Sequence, residues 1–331
     1  MKKILALILS LSLLLAAFAG CSANTETESS APAEKTVIRI AGMKGPTTMG
    51  LAELLDKNDN GEATNKYEFS LKGAADEIVP LLKKGELDIA AVPANVAAVV
   101  YNNTEGGVKV LAVNTLGVLY VVERGETIQN VADLKGKTIY ATGKGTTPEF
   151  SLRYILEKNN IDPDKDVTLE FFGEATEVVA KLSKTEGAVA MLPQPYVTAA
   201  GNKIADLSIR LNLDEEWSKV DKNSRMVTGV VVANAAFAEE NPEAIEAFLK
   251  EYEASIDFVN ENVDEASELI ANLGIVDNAA IAKKALPFCN LAYLDGGEMK
   301  TALSGYYKVL FESNPASVGG SMPSSDFYYG N

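Results

Sequence analysis

The sequence predicts an α/β protein of two lobes, each a mostly parallel sheet flanked by helices, with two strands crossing between them as a hinge. Three features carry this. Short β-rich runs alternate with helical runs, and one such strand–helix block recurs about a hundred positions later. Two long β-rich stretches, 108–125 and 225–237, stand where a chain could pass from lobe to lobe. On this reading residues 36–114 begin lobe one, 115–226 form lobe two, and 227–331 return to lobe one.

Each copy opens on a short β-rich run, TVIRIAG (36–42) or KTIYATG (137–143). A glycine turn follows, with Lys44-Gly45 or Lys144-Gly145, then a helix through Leu51, Leu54 and Leu55 or through Phe150, Tyr154 and Ile155. The second strand is YEFSLKG (67–73) or VTLEFFG (167–173). A helix with apolar positions at Ile78, Leu81 and Leu82, or at Val178, Val179 and Leu182, then leads to LDIAAVP (87–93) or GAVAMLP (187–193). Between 73–93 and 173–193 an ungapped comparison gives nine identities in twenty-one positions, Gly73/Gly173, Glu77/Glu177 and Pro93/Pro193 among them. Strands that alternate with helices imply parallel pairing, covered on both faces.

The first crossing stretch breaks at Asn114-Thr115 and Gly117, the second at Thr228-Gly229. Beyond them Asn241 is expected to cap a helix with Pro242 in its first turn. Its apolar stripe runs Ile245, Phe248, Leu249, Tyr252, Ile256 and Val259. Further helices are expected near 263–273, 278–286 and 296–312, packed on lobe one, with MPSSDFYYGN (322–331) as a C-terminal strap.

The chain has 331 residues, 47% of them hydrophobic, enough to bury one large or two modest cores. Its net charge of −16 repels nucleic acid and anionic membrane, and there is no basic cluster for a phosphate backbone. Histidine is absent and cysteine occurs only at 21 and 289, which argues against zinc or triad chemistry and leaves no internal disulfide framework. Cys289 reads as a small buried apolar residue. Gly136-Lys137-Thr138 is not a P-loop: Val131 stands where the earlier glycine belongs, and TIYAT reads as strand where that motif needs helix. No metal or cofactor is expected.

Residues 1–20 read as an export leader: Lys2 and Lys3, an apolar Ile4–Ala19 too short for a spanning helix, then Ala19-Gly20. With Cys21 the segment resembles a bacterial lipobox, although Phe18 stands where that pattern has Leu. The resemblance implies cleavage before Cys21 and a lipid on its thiol, anchoring the protein to the outer face of the cell membrane. Residues 21–35 are polar and without apolar period, a flexible tether.

Three stretches carry a wider resemblance: LKKGELDIAAVPANVAA (82–98), DLKGKTIYATGKGTTPEFSLRYILEKNNIDPDKDV (133–167) and AVAMLPQPYVTA (188–199). The mature chain resembles the substrate-binding lipoproteins of ABC importers with the type II periplasmic-binding-protein fold, in the subgroup that binds nitrate, taurine and other sulfonates, and thiamine precursors. That implies a monomer that captures a small polar, anionic or heterocyclic ligand and delivers it to a permease and its ATPase. Two other readings stay open: a sensory protein that presents its ligand to a membrane receptor, and an enzyme on the same fold. The missing histidines and the export leader weigh against the enzyme.

In open α/β sheets the ligand crevice lies at the carboxyl ends of the strands, so each glycine turn is expected to form one jaw. Gly45 and Gly145 let backbone approach a ligand; Pro46 follows in the first turn. Thr47, Thr48, Thr146 and Thr147 fall near the helix N-caps, offering hydroxyls and free N–H groups to an anion. Asn95, Gln194 and Tyr196 can read polar edges from the second loops, and Phe172 can stack on a flat ligand. Asn114, Thr115 and Thr228 are expected on the cleft floor.

Overall fold

Residues 35–330 are described by a computed structural model. The leader, Cys21 and all of the tether but Lys35 lie outside the described residues.

The first repeat runs β1 (Val37–Met43), α1 (Pro46–Met49), α2 (Ala52–Asp59), β2 (Lys66–Lys72), α3 (Ala75–Lys83), β3 (Ile89–Pro93) and α4 (Ala94–Asn103). β4 (Val108–Leu116) and β5 (Leu119–Arg124) follow. The second repeat is β6 (Thr138–Thr142), α5 (Thr147–Lys158), β7 (Thr168–Phe172), α6 (Ala175–Lys184), β8 (Val189–Pro193) and α7 (Tyr196–Lys203). After it come β9 (Leu207–Asn212), α8 (Leu213–Val220), β10 (Val227–Asn234), α9 (Ala235–Glu240), α10 (Pro242–Glu261), α11 (Val263–Asn272), α12 (Ala279–Ala285), β11 (Leu291–Leu294) and α13 (Gly296–Ser313).

One sheet has the order β11-β4-β10-β3-β1-β2, the other β7-β6-β8-β5-β9. Within each repeat the three strands pair parallel, as strand–helix alternation requires. The sheets as wholes are mixed rather than mostly parallel, because β10 lies antiparallel to β3 and β4, and β5 antiparallel to β8 and β9. The reason is the route of the chain. β1, β2 and β3 run toward the junction between the sheets, so a strand returning from that junction must run the other way.

The pairing also corrects the ungapped repeat. Ile40 faces Ile89 while Ile139 faces Val189, so the first strands correspond one residue short of the hundred that relates the third strands. The extra residue is Gly143: Thr142 reaches Lys144-Gly145 through it, whereas Met43 passes directly to Lys44-Gly45.

β4 stays paired in the six-stranded sheet as far as Leu116, opposite Val227, so the chain crosses at Gly117-Val118. Thr228-Gly229 is no break: β10 runs through it with an irregular register. Gly117 matters sterically, because a Cβ there would stand 2.3 Å from Asp214 Oδ1. Burial of Asp214 beside this crossing pushes its carboxyl above the usual aspartate range, partly offset by Arg225 and reinforced by Glu215.

α10 buries Ile245, Phe248, Tyr252, Ile256 and Val259 on the side of the first sheet away from α4, with Leu249 at the edge. Asn241 holds its N-cap position with Pro242 next, but the side chain makes no capping bond; its Nδ2 donates instead to Phe237 O, 3.1 Å away. The C-terminal helices reach both halves rather than lobe one alone. The Tyr306 ring of α13 lies 5.4 Å from Trp217 of α8, tilted by 43°, and its hydroxyl is 3.1 Å from Ser151 Oγ of α5. Lys284 of α12 donates to Asn202 Oδ1 of α7 at 3.2 Å. The strap closes on the first sheet: Phe327 is fully buried, and Tyr329 N donates to Val110 O at 2.9 Å.

Candidate functional site

The carboxyl ends of the three strands in each repeat open into one cleft of about 410 Å³. From the first repeat it is lined by Met43, Lys44, Pro46, Thr47, the turn Gly73–Asp76 and Pro93. From the second come Thr142–Lys144, Thr146, Pro148, the turn Phe172–Ala175, Pro193 and Tyr196. Leu119, just past the first crossing, and Thr228, near the start of β10, complete the lining. The two walls are therefore equivalent turns of a duplicated unit.

Six of the expected residues line this space: Pro46, Thr47, Thr146, Phe172, Tyr196 and Thr228. Thr228 is the most telling. It is 7% exposed, and its Oγ1 has no hydrogen-bond partner among the described residues. A buried hydroxyl left unsatisfied costs about 1–3 kcal/mol, so an unpartnered threonine in the lining of a cleft is a place where an incoming polar atom would recover that cost. Tyr196 keeps its proton at neutral pH: burial pushes the phenol up to about 12, with Asp277 and Glu174 adding to the effect. Phe172 is backed by Tyr140 at 6.0 Å in an edge-to-face contact, which fixes its ring as part of the wall.

The other expected residues hold the walls together and do not line the space. Gly45 adopts φ 115 and Gly145 φ 72, a backbone that side chains rarely adopt. Gly145 O accepts from Asn95 Nδ2 at 3.3 Å, and Thr147 Oγ1 sits 3.3 Å from Asn95 Oδ1. Asn114 Nδ2 donates to Thr47 O at 3.0 Å, while Thr115 Oγ1 donates to Asn114 Oδ1. Gln194 Oε1 accepts from Thr198 N and Oγ1. The Thr48 hydroxyl is buried against Gly42, where a Cβ would stand 2.3 Å from it.

The free N–H groups expected at the turns are largely taken. Glu77 Oε1 accepts from Gly73 N and Ala74 N, Glu149 Oε2 from Gly145 N, and Glu177 Oε2 from Glu174 N. Three of the four turns thus carry their own carboxylate cap, three or four residues along the chain, while the turn at Lys44-Gly45 has no acidic residue in the helix turn that follows it. Thr146 is an N-cap by position, but its hydroxyl donates back to Gly143 O at 2.7 Å.

Several lining residues escaped the sequence reading: Met43, Leu119, and the second turns Gly73–Asp76 and Gly173–Ala175. A signal for the second turns was present, since Gly73/Gly173 and Ala75/Ala175 are among the identities of the repeat. Lys44 and Lys144 of the glycine turns stand at the lip, exposed and without an ion pair among the described residues.

Residues 62–285 match the family described as ABC transporter, phosphonate, periplasmic substrate-binding protein. A binding protein of Brucella abortus is 27% identical over 180 residues, 54% of this chain and 54% of its own length. The match thus spans about half the length of that curated relative. Among solved structures, an ABC transporter protein from Parabacteroides distasonis superposes with a TM-score of 0.74 at 26% identity, covering 89% of this chain and 99% of that one. The aliphatic sulphonate binding protein SsuA of Escherichia coli shares the fold with a TM-score of 0.69 at 16% identity, covering 88% and 94%. The alkanesulfonate-binding SsuA of Xanthomonas axonopodis pv. citri, solved with MOPS bound, also has a TM-score of 0.69, at 13% identity, covering 88% and 96%. With two thirds of its length matched by one family profile and its fold shared with those neighbours, the chain belongs to the phosphonate periplasmic substrate-binding proteins of ABC transporters.

Proposed function

We propose that this chain captures a small organic anion, of phosphonate or sulfonate type, in the cleft between its two repeats and delivers it to an ABC permease powered by a separate ATPase. The observation that carries the proposal is the orphaned hydroxyl of Thr228 at the floor of the cleft. Thr47 and Thr146 stand on the two walls beside it, and Lys44 and Lys144 supply positive charge at the lip. The family's description and the ligands named for two of the solved neighbours support the same class.

The mechanism is hinged closure. Lobe one comprises 36–116 and 227–331, and lobe two begins beyond the crossing at Gly117-Val118 and runs to 226. A ligand that touches both walls gains contacts unavailable when they part, and so shifts the population toward the closed form. The protein binds rather than catalyses, acts as a monomer, and works outside the cytoplasm. Residues 1–20 are removed, lipid on Cys21 holds the protein to the membrane, and the tether 21–35 keeps it near the permease. A Cys21→Ser variant found in the soluble rather than the membrane fraction supports that anchor; a variant still in the membrane fraction contradicts it.

Calorimetric titration of the protein lacking residues 1–21 with phosphonates and sulfonates tests the binding role. Thr228→Val is expected to weaken a bound member at least about fivefold while leaving the fold intact. Equal binding by the variant removes Thr228 from the site.

A further inference from the structure

The cleft is poorly equipped to hold a bare oxyanion and well equipped to hold a ring. Proteins fix compact oxyanions with fork-like guanidinium groups or with free backbone N–H groups at helix N-termini. Among the described residues no arginine lines this cleft. The backbone N–H groups of Gly73, Ala74, Gly145 and Glu174 are already bonded to the carboxylates of Glu77, Glu149 and Glu177. Those bonds take four backbone donors away from any anion in the cleft. Lys44 and Lys144 are exposed, where water and salt screen them.

Against this sparse polar set stand broad apolar walls. Phe172 and Tyr196 come from the second repeat, Met43 and Pro46 from the first, and Leu119 from just past the crossing between them. Tyr140 braces the Phe172 ring from behind. An aromatic face opposite a methionine and a proline is a slot for a flat apolar group, with the Thr228 hydroxyl at its floor. Resting on the reading of the cleft as a binding site for an organic anion, we infer that the ligand is a ring-bearing acid whose ring, held between Phe172/Tyr196 and Met43/Pro46, supplies most of the affinity, and that inorganic oxyanions and short-chain acids are weak ligands.

Matched probes decide it. Phenylphosphonate and methylphosphonate share one head group, and inorganic phosphate lacks any organic part. Calorimetry on the protein lacking residues 1–21 is expected to give phenylphosphonate at least about thirtyfold tighter binding than methylphosphonate, with phosphate weaker still. Phe172→Ala is expected to bring the ratio of the two phosphonates below about three, while Phe172→Leu keeps most of it. Thermal melts of both variants separate lost packing from lost fold. A ratio near one in the wild type, or phosphate as tight as phenylphosphonate, overturns the inference and leaves the cleft as an anion site. Binding by neither phosphonate, nor by benzenesulfonate or methanesulfonate, overturns the cleft reading and the inference with it.

Discussion

Asn95 and Thr147 meet where the two repeats touch, with Thr147 Oγ1 3.3 Å from Asn95 Oδ1. Asn95 is fully buried, and its Nδ2 also reaches Gly145 O at 3.3 Å and Ser317 O at 3.1 Å. One side chain therefore joins the start of α4, the second glycine turn and the short turn 315–318 that follows α13. Asn95→Ala strands the buried Ser317 carbonyl and removes the bond to Gly145 O, and is expected to cost about 1–3 kcal/mol in chemical denaturation. An unchanged midpoint would show that these contacts contribute nothing.

Gly229 supports the cleft floor by having no side chain. A Cβ there would stand 2.4 Å from Thr47 Cγ2 and 2.6 Å from Asn114 Oδ1. Gly229→Ala is expected to displace Thr47, to cost about 1–3 kcal/mol of stability, and to weaken any cleft ligand. The check is a melt and a titration on the same preparation, and a variant normal in both contradicts the packing described.

Much of this was legible in the sequence. The repeat of Lys-Gly turns located two walls of one cleft, and the stripe from Ile245 to Val259 gave the buried face of α10. Less legible was where polar side chains point. Asn95, Asn114 and Gln194 were read as ligand contacts, yet each bonds nearby backbone or side chains, because an amide near a turn serves either purpose equally well. Strand direction was also hidden: whether β10 runs with or against β3 depends on where the chain crosses, which no local pattern records. The one-residue slip between the repeats fell inside a turn, where a longer loop leaves both flanking strands unchanged.

Glu123 in β5 gives a pH test. Its side chain is 1% exposed. Burial raises its pKa, but hydrogen bonds from Thr127 and Ile128, with Arg210 nearby, outweigh this and hold it below the usual glutamate value of 4.5. A carboxylate depressed by folding stabilises the protein fully above its unfolded value, and the contribution is lost as pH falls through the folded value. Glu123→Gln is therefore expected to cost about 2 kcal/mol at pH 7, with the gap to wild type closing below about pH 4. A gap independent of pH would contradict this.

Phe327 anchors the strap. Its ring lies 5.0 Å from Tyr101 and 6.1 Å from Tyr307, fully buried. Phe327→Ala is expected to cost about 3–5 kcal/mol and to lower the melting temperature accordingly. A loss under about 1 kcal/mol would mean that the strap packs loosely.

A crystal structure of the protein with a phosphonate or sulfonate bound tests the central claim most directly. The account predicts the acid group within hydrogen-bond reach of Thr228 Oγ1 and the organic part against Phe172, between the two sets of repeated turns. Ligand in the groove of about 680 Å³ beside Tyr154 and Lys308, with nothing between the turns, would contradict it.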